Sequence, residues 1–182
     1  MDVHQDIERV LIDEDIIRHR IDELAKKILQ DYTEGPIVVV TLLKGAFVFT
    51  ADLFRRLPLK LDIECINVSS YHGGTESSGE VKFLDHKLPE VKDKQVLLVD
   101  DILDTGRTLY AVSNALIGQG ATLVKTCVLL AKDKERAVEQ GADYVGFTIG
   151  DEFVVGYGLD YQEKYRNLPY VGVLSSEIFS GK

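Results

Sequence analysis

The stretch over residues 95–118, QVLLVDDILDTGRTLYAVSNALIG, constrains the fold of this 182-residue chain more than any other. Its apolar and mostly β-branched run at 96–99 is typical of a buried strand. Two carboxylates, Asp100 and Asp101, stand where that strand is expected to end. Small and hydroxylated residues follow at 104–108, and apolar residues then continue at helical spacing. This order predicts a strand, an acidic turn and the start of a helix.

The predicted helix start is a candidate anion site. Unpaired backbone N–H groups and the positive end of the helix dipole favour negative charge there. The two neighbouring carboxylates would repel a phosphate if they acted alone. They are compatible with a phosphate if they hold the hydroxyl groups of a sugar or a divalent cation that bridges to the ligand.

Apolar periodicity elsewhere predicts alternating strands and helices. Strands are expected at 7–11, 36–43, 61–69, 123–131, 143–149 and 170–174, and helices after Asp13, over 47–54 and over 135–140. Such alternation is typical of a parallel α/β sheet, in which ligand-binding groups gather at the C-terminal ends of the strands. The polar residues expected at such ends are Lys44, Asp100, Asp101, Lys132 and Glu152.

The length and composition narrow the class of protein. The chain is long enough for one domain over 1–182, and no apolar run approaches the roughly 20 residues that span a bilayer. The first ten residues are polar rather than a secretory signal, and Cys65 and Cys127 are expected to be buried, reduced thiols. The formal net charge of −9 disfavours a nucleic-acid binder. We therefore expect a cytoplasmic protein that binds neither nucleic acid nor membrane.

The segment VLLVDDILDTGRTL resembles the phosphoribosyl pyrophosphate signature of the type I phosphoribosyltransferases. The segments LLKGA, LLAKDK and DEFVVGYGLDY resemble their purine branch, the hypoxanthine–guanine phosphoribosyltransferases, and the similarity extends over roughly 8–175. The resemblance implies a Rossmann-like parallel sheet flanked by helices, with a small hood built from parts of roughly 1–15 and 150–182. It also implies a homodimer or homotetramer that requires Mg²⁺.

The activity implied by the resemblance is purine salvage. The enzyme would transfer a 5-phosphoribosyl group from phosphoribosyl pyrophosphate to N9 of hypoxanthine, guanine or both, giving IMP or GMP and pyrophosphate. The resemblance leaves open which of these bases is preferred.

The resemblance further implies a site for ribose and pyrophosphate. Lys44, Gly45 and Arg166 match the pyrophosphate-binding residues of the family. Asp100 and Asp101 match its paired acids, which hold the ribose hydroxyls and magnesium. The ribose-phosphate site is completed by a loop that comprises Asp104, Thr105, Gly106, Arg107 and Thr108.

The base is expected to bind beside this loop. Lys132 matches the lysine that contacts the exocyclic oxygen of the purine, Phe153 the aromatic ring that stacks on it, and Val154 a residue with backbone contacts. Asp160 matches the residue near the base and a second metal ion. Asp104 matches the proposed general base, which accepts either a proton or a hydrogen bond from the purine, at N7.

Three further positions complete the comparison with the family. Ser70 and Tyr71 match a mobile loop that closes during turnover. Asp100 stands where many members have glutamate, and Arg107 where others have lysine or an apolar residue. Neither change removes a required charge type, so both are interpreted as variation within the family.

Two alternative functions compete with this interpretation. The first is a pyrimidine-operon attenuator, an RNA-binding regulator with uracil phosphoribosyltransferase activity and a similar signature. Asp104, where that family has an aromatic residue, and the segment FVVGYGLDY both disfavour it. The second is a non-catalytic nucleotide-binding module, which would need no carboxylate at the position of Asp104.

Overall fold

The computed structural model describes residues 3–32, 35–70, 81–84, 88–135, 138 and 141–179. A short 3₁₀ turn, Val3–Asp6, precedes the first strand. The strands and helices formed within the described ranges are, in chain order, β1 (Ile7–Ile12), α1 (Glu14–Asp31), β2 (Ile37–Leu43), α2 (Phe47–Phe54), β3 (Leu61–Ser70), β4 (Val81–Phe83), β5 (Gln95–Leu103), α3 (Arg107–Gly118), β6 (Leu123–Lys132), β7 (Tyr144–Ile149), β8 (Val154–Val155), β9 (Val171–Leu174) and α4 (Ser176–Phe179).

The larger sheet has the strand order β4-β3-β2-β5-β6-β7. Strands β3, β2, β5, β6 and β7 are parallel, and β4 pairs with the end of β3 in the antiparallel direction. Central strand β5 is paired on both sides, with Val96 opposite Val38 of β2 and Val124 of β6. This arrangement confirms the expected parallel α/β sheet, in which a strand buried on both faces is apolar throughout.

Helices cover both faces of this sheet. Alternate residues of β5 point to opposite sides, so that Leu97 packs in the core below α1 and α2, while Leu98 packs in the core below α3. The stripe predicted in α1 is confirmed as part of the first core, since Ile17, Ile21, Leu24 and Ile28 are buried. No described helix has the length and apolar character needed to cross a membrane.

A second, three-stranded sheet has the order β1-β9-β8 and is antiparallel. Ile7 pairs with Leu174 and Ile12 with Val171, so segments from the two terminal regions lie side by side. These are the regions that the family resemblance assigns to the hood. The loop between β8 and β9 extends from this sheet toward the C-terminal edge of the larger one, since Gly158 lies against Gly45 after β2.

Strand β5 is longer than predicted. It continues through Asp100 and Asp101 to Leu103, because its pairing with β6 continues, with Asp100 opposite Val128 and Leu103 opposite Ala131. The expectation that the strand ends before the two carboxylates is therefore wrong. The pair occupies the sixth and seventh positions of this nine-residue strand rather than a turn, and backbone pairing fixes its position.

The expected burial of the two thiols is confirmed for one and wrong for the other. Cys127 lies buried in β6, but Cys65 of β3 is exposed. Strand β4 pairs with β3 only at its end, from Val68 onward, so the first part of β3 is an edge with exposed residues such as Ile63.

Asp13 precedes α1 as predicted, but only its backbone conformation is that of a helix cap. Asp13 is extended at the N-cap position, but in the described structure its side chain makes no capping hydrogen bond. The helix expected over 135–140 lies largely outside the described residues.

Candidate active site

A cavity of about 310 Å³ lies at the C-terminal edge of the larger sheet. The ends of β2 and β5, the turn before α3 and the loop after β8 form its wall. The structure brings together here ten of the residues predicted for the site, namely Lys44, Gly45, Asp100, Asp101, Asp104, Thr105, Gly106, Thr108, Asp160 and Arg166.

Four other predicted residues lie outside the lining of this cavity. Arg107 is exposed at the first position of α3, and Val154 is buried in β8. Lys132 ends β6, and Phe153 directly precedes β8 with 42% of its surface exposed. Of the four residues assigned to the base, Lys132, Phe153 and Val154 therefore lie outside the cavity wall, and Asp160 forms part of it.

The residues predicted for the mobile loop are only partly described. Ser70 is the last residue of β3, and Tyr71 lies outside the described residues.

Position 45 requires glycine because the Asp101 side chain lies very close to its backbone. A Cβ built at position 45 would lie 1.7 Å from Asp101 Oδ2 and 2.5 Å from its Cγ. No side chain at this position fits without displacing the carboxylate. The glycine after β2 thus lets the backbone pass directly over an acidic residue of β5.

Burial disfavours the ionised forms of the Asp100 and Asp101 carboxyl groups. Burial raises the pKa of Asp100 well above its ordinary value, and the adjacent Asp101 carboxylate raises it further. Burial also raises the pKa of Asp101, although hydrogen bonds to its carboxylate oppose this. One of these bonds is donated by the Ile102 N–H to Asp101 Oδ1 over 2.8 Å. A cation beside the pair would relieve both effects.

The turn between β5 and α3 has the form of an anion site. Gly106 occupies the N-cap position with φ of +79°, a conformation that glycine adopts without the steric cost paid by other residues. Because glycine has no side chain, it cannot cap the first N–H groups of α3, which lie beside the cavity between Thr105 and Thr108. The first turn of α3 carries no acidic residue, which favours an anionic ligand.

Carboxylates of the chain pair with both cations predicted to bind pyrophosphate. Lys44 Nζ is 2.9 Å from Glu163 Oε2, and Arg166 Nη2 is 2.8 Å from Asp160 Oδ1. Arg166 Nη2 also lies 3.5 Å from Glu163 Oε1, so Glu163 bridges the two cations. The hydrogen bond from Lys44 lowers the pKa of Glu163. The sequence analysis missed Glu163, although it lies within the tail segment that carries the resemblance.

A second charged cluster lies beside Asp104. Lys134 Nζ is 2.5 Å from Asp104 Oδ1 and 3.3 Å from Asp151 Oδ1. Lys132 Nζ lies 3.0 Å from the same Asp151 oxygen. The hydrogen bond with Asp104 raises the pKa of Lys134, and the bond with Asp151 contributes in the same direction. Lys134 and Asp151 were missed, although their charges within LLAKDK and DEFVV were visible.

Phe153 belongs to an exposed aromatic cluster. Its ring is stacked with that of Phe179 at a centroid distance of 5.3 Å, and it meets Tyr161 edge-on at 5.6 Å. Phe179 comes from α4, a helix of one turn that the sequence analysis did not predict. The ring expected to stack on a base is thus held by two aromatic neighbours.

The carboxylates fit Mg²⁺ as a pair rather than as a set of three. Within the described ranges, no three acidic, histidine or cysteine side chains are close enough to hold one ion. Asp160, which the resemblance assigns to the base and a second metal ion, forms an ion pair with Arg166. The adjacent carboxylates of Asp100 and Asp101 suit an ion that takes one or two protein carboxylates and completes its shell with water and substrate phosphates.

Known proteins resemble this chain over nearly its whole length. A family model described as a phosphoribosyl transferase domain matches residues 11–162. The hypoxanthine-guanine phosphoribosyltransferase of Staphylococcus epidermidis is 44% identical over 178 residues, which cover 98% of this chain and 99% of that protein. The corresponding protein of Staphylococcus aureus is 43% identical with the same coverage.

Comparison with solved structures leads to the same family. A crystal structure of a hypoxanthine phosphoribosyltransferase from Staphylococcus aureus has a TM-score of 0.91 at 43% identity, covering 97% of this chain and 96% of that one. The Trypanosoma cruzi hypoxanthine phosphoribosyl transferase has a TM-score of 0.89 at 40% identity, covering 96% and 94%. The fold is thus the expected type I phosphoribosyltransferase fold. The chain belongs to the phosphoribosyltransferase family and, within it, to the hypoxanthine–guanine phosphoribosyltransferases.

Proposed function

We propose that this chain is a purine-salvage enzyme that joins a 5-phosphoribosyl group to N9 of hypoxanthine or guanine. The observation that carries the proposal is the single cavity wall that unites paired acids, an anion-binding turn, two cations and Asp104. In the reaction, the N9 lone pair forms a bond to C1′ of the ribose. The bond from C1′ to pyrophosphate breaks, and its electron pair leaves with the pyrophosphate.

The phosphoribosyl end of the substrate is assigned to the β5–α3 region. The first N–H groups of α3, with Thr105 and Thr108, bind the 5′-phosphate, and Asp100 and Asp101 accept hydrogen bonds from the ribose hydroxyls. Positive charge that develops at C1′ is stabilised near these carboxylates. Mg²⁺, when bound to the same two residues, supplies charge that neutralises the pyrophosphate.

The leaving group is assigned to Lys44, the Gly45 backbone and Arg166. For pyrophosphate to bind there, Lys44 must leave Glu163, and Arg166 must loosen its contacts with Asp160 and Glu163. The new bonds to pyrophosphate replace these ion pairs, so the charge of each cation stays compensated throughout.

The base is assigned to the neighbouring region of Lys132, Phe153 and Val154. Asp104 accepts the N7 proton, or a hydrogen bond from it, as charge develops on the purine. Lys132 donates to the 6-oxo group, which an adenine amino group cannot replace as an acceptor. Leaving a buried donor unpaired costs about 1–3 kcal/mol, so we expect little turnover of adenine.

Several further properties are proposed from the resemblance and from the relatives. They are a requirement for Mg²⁺, closure of a loop at Ser70 and Tyr71, a cytoplasmic location and a homodimer or homotetramer. We also propose that residues 1–182 form a single domain with a hood from roughly 1–15 and 150–182. The Trypanosoma cruzi relative was solved in a study of how its C-terminal region affects oligomeric state and activity.

The test is nucleotide formation from phosphoribosyl pyrophosphate with hypoxanthine, guanine, xanthine or adenine, each with Mg²⁺ and with excess EDTA. We expect IMP or GMP to form only with Mg²⁺, and adenine to react poorly. Absence of product from all four bases would refute the proposed function. Efficient use of adenine would refute the role of Lys132 alone, and filter binding to RNA tests the attenuator alternative.

A further inference from the structure

Lys134 has no role in the function described above, yet it contacts the candidate general base. Its Nζ lies 2.5 Å from Asp104 Oδ1 and 3.3 Å from Asp151 Oδ1. Lys132 Nζ approaches the same Asp151 oxygen to 3.0 Å. Four side chains of alternating charge therefore form a continuous row in the order Asp104, Lys134, Asp151, Lys132.

The two carboxylates of this row differ in exposure. The exposed fraction is 40% for the Asp104 side chain and 71% for that of Asp151, and Asp104 Oδ1 itself is buried. The ammonium group of Lys134 therefore lies against a carboxylate oxygen that is itself buried. This ion pair restrains the Asp104 carboxylate, which lines the cavity.

The two ends of the row are the residues assigned to neighbouring groups of the base. A 6-oxopurine carries O6 and N7 next to each other on one edge. The proposed function assigns N7 to Asp104 and O6 to Lys132, and Lys134 and Asp151 connect these two residues. A displacement of either inner residue would change how both groups meet the base.

We propose that Lys134 is a positioning residue for phosphoribosyl transfer, which holds the Asp104 carboxylate toward N7 of the base. The proposal rests on the proposed function. When N9 bonds to C1′ and pyrophosphate departs with its electron pair, the N7 proton moves to or is shared with Asp104. Lys134 keeps its own protons throughout. As the charge of Asp104 falls, Asp151 remains as the second partner of Lys134.

The experiment compares Lys134→Met and Lys134→Arg with the wild-type chain, and uses Lys60→Met, at an exposed lysine, as the control. Without its counter-ion, Asp104 loses its orientation, so we expect Lys134→Met to lower kcat about tenfold. The KM for phosphoribosyl pyrophosphate should stay within about twofold, because the ion pairs described for Lys134, with Asp104 and Asp151, include none of the residues assigned to the ribose hydroxyls or the pyrophosphate. Arginine keeps the charge, so Lys134→Arg should recover kcat to within about threefold.

The possible outcomes separate the two proposals. If the wild-type chain forms no nucleotide, the proposed function fails and the role of Lys134 fails with it. If the wild-type chain is active and Lys134→Met matches Lys60→Met, only the role of Lys134 is refuted. A fall in melting temperature without a selective loss of kcat would assign Lys134 a structural role and would also refute the proposal.

A second variant keeps the proposal testable if Lys134→Met does not fold. Asp151→Asn removes the charge of the shared, exposed partner and leaves the cavity wall intact. We expect it to lower kcat roughly threefold, the size of effect that a partly exposed ion pair supports. An unchanged kcat in a folded Asp151→Asn variant would count against the row as a connected unit.

Discussion

Gly45 and Asp101 can be understood only as a pair, because a Cβ at position 45 would come within 1.7 Å of Asp101 Oδ2. Gly45→Ala should displace the carboxylate and lower kcat/KM about 100-fold, the effect of misplacing a binding group by about 1 Å. The matched control is Gly118→Ala at the end of α3, where an added Cβ meets nothing within 4 Å. Near-normal kcat/KM in a folded Gly45→Ala variant would contradict this interpretation.

Glu163 competes with the leaving group for Lys44 and Arg166. We expect Glu163→Gln to bind pyrophosphate about two- to fivefold more tightly, a range typical of a partly exposed ion pair. Isothermal titration with pyrophosphate and Mg²⁺ measures this directly, with Glu177→Gln in exposed α4 as the control. Weaker binding in Glu163→Gln would indicate that Glu163 supports the ligand instead of competing with it.

At the scale of elements, strand interiors were predictable and strand ends were not. The run at 96–99 is apolar throughout because both faces of β5 are covered. The extension of β5 to Leu103 depends on backbone pairing with β6, which tolerates acidic side chains and leaves no apolar pattern to detect. The β4 hairpin and α4 were missed for a related reason, since each is too short to show periodicity.

The end of α1 is joined to the sheet through one carboxylate. The Tyr144 hydroxyl of β7 donates to Asp31 Oδ2, and Lys125 Nζ of β6 lies 2.9 Å from the same oxygen. The hydrogen bond from Tyr144, followed by that from Lys125, lowers the pKa of Asp31 below its ordinary value of 3.8. The folded state therefore favours the ionised form of this residue.

This link predicts a pH-dependent contribution to stability. A lowered folded-state pKa contributes stability above pH 3.8, and the contribution is lost as the pH falls through the folded-state value. We expect Asp31→Asn to lower the melting temperature by roughly 1–3 °C at neutral pH, and the difference from wild type to shrink in acid. The control is Asp133→Asn, at an exposed position, whose melting temperature should differ little from that of the wild type at any pH. A melting-temperature difference for Asp31→Asn that stays constant with pH would contradict the prediction.

For the whole molecule, the gathering of site residues was predictable, whereas their partners were not. Lys44, Asp100 and Asp101 each lie at or near the C-terminal end of a parallel strand, so the fold class alone implies that they meet. Lys44 and Glu163 are 119 positions apart, and their contact depends on how the β8–β9 loop folds over the sheet. No local pattern encodes such a contact.

The ion pairs of Lys44 and Arg166 determine how strongly pyrophosphate binding depends on ionic strength. The chain has a net charge of −9, and Lys44 and Arg166 already have carboxylate partners. When pyrophosphate binds, it therefore replaces carboxylates of the protein rather than neutralising unpaired positive charge. Added salt weakens the old and new pairs together. The affinity for pyrophosphate should therefore decline only gradually with NaCl in the wild-type chain, and more steeply in Glu163→Gln, where the cations have lost one internal competitor.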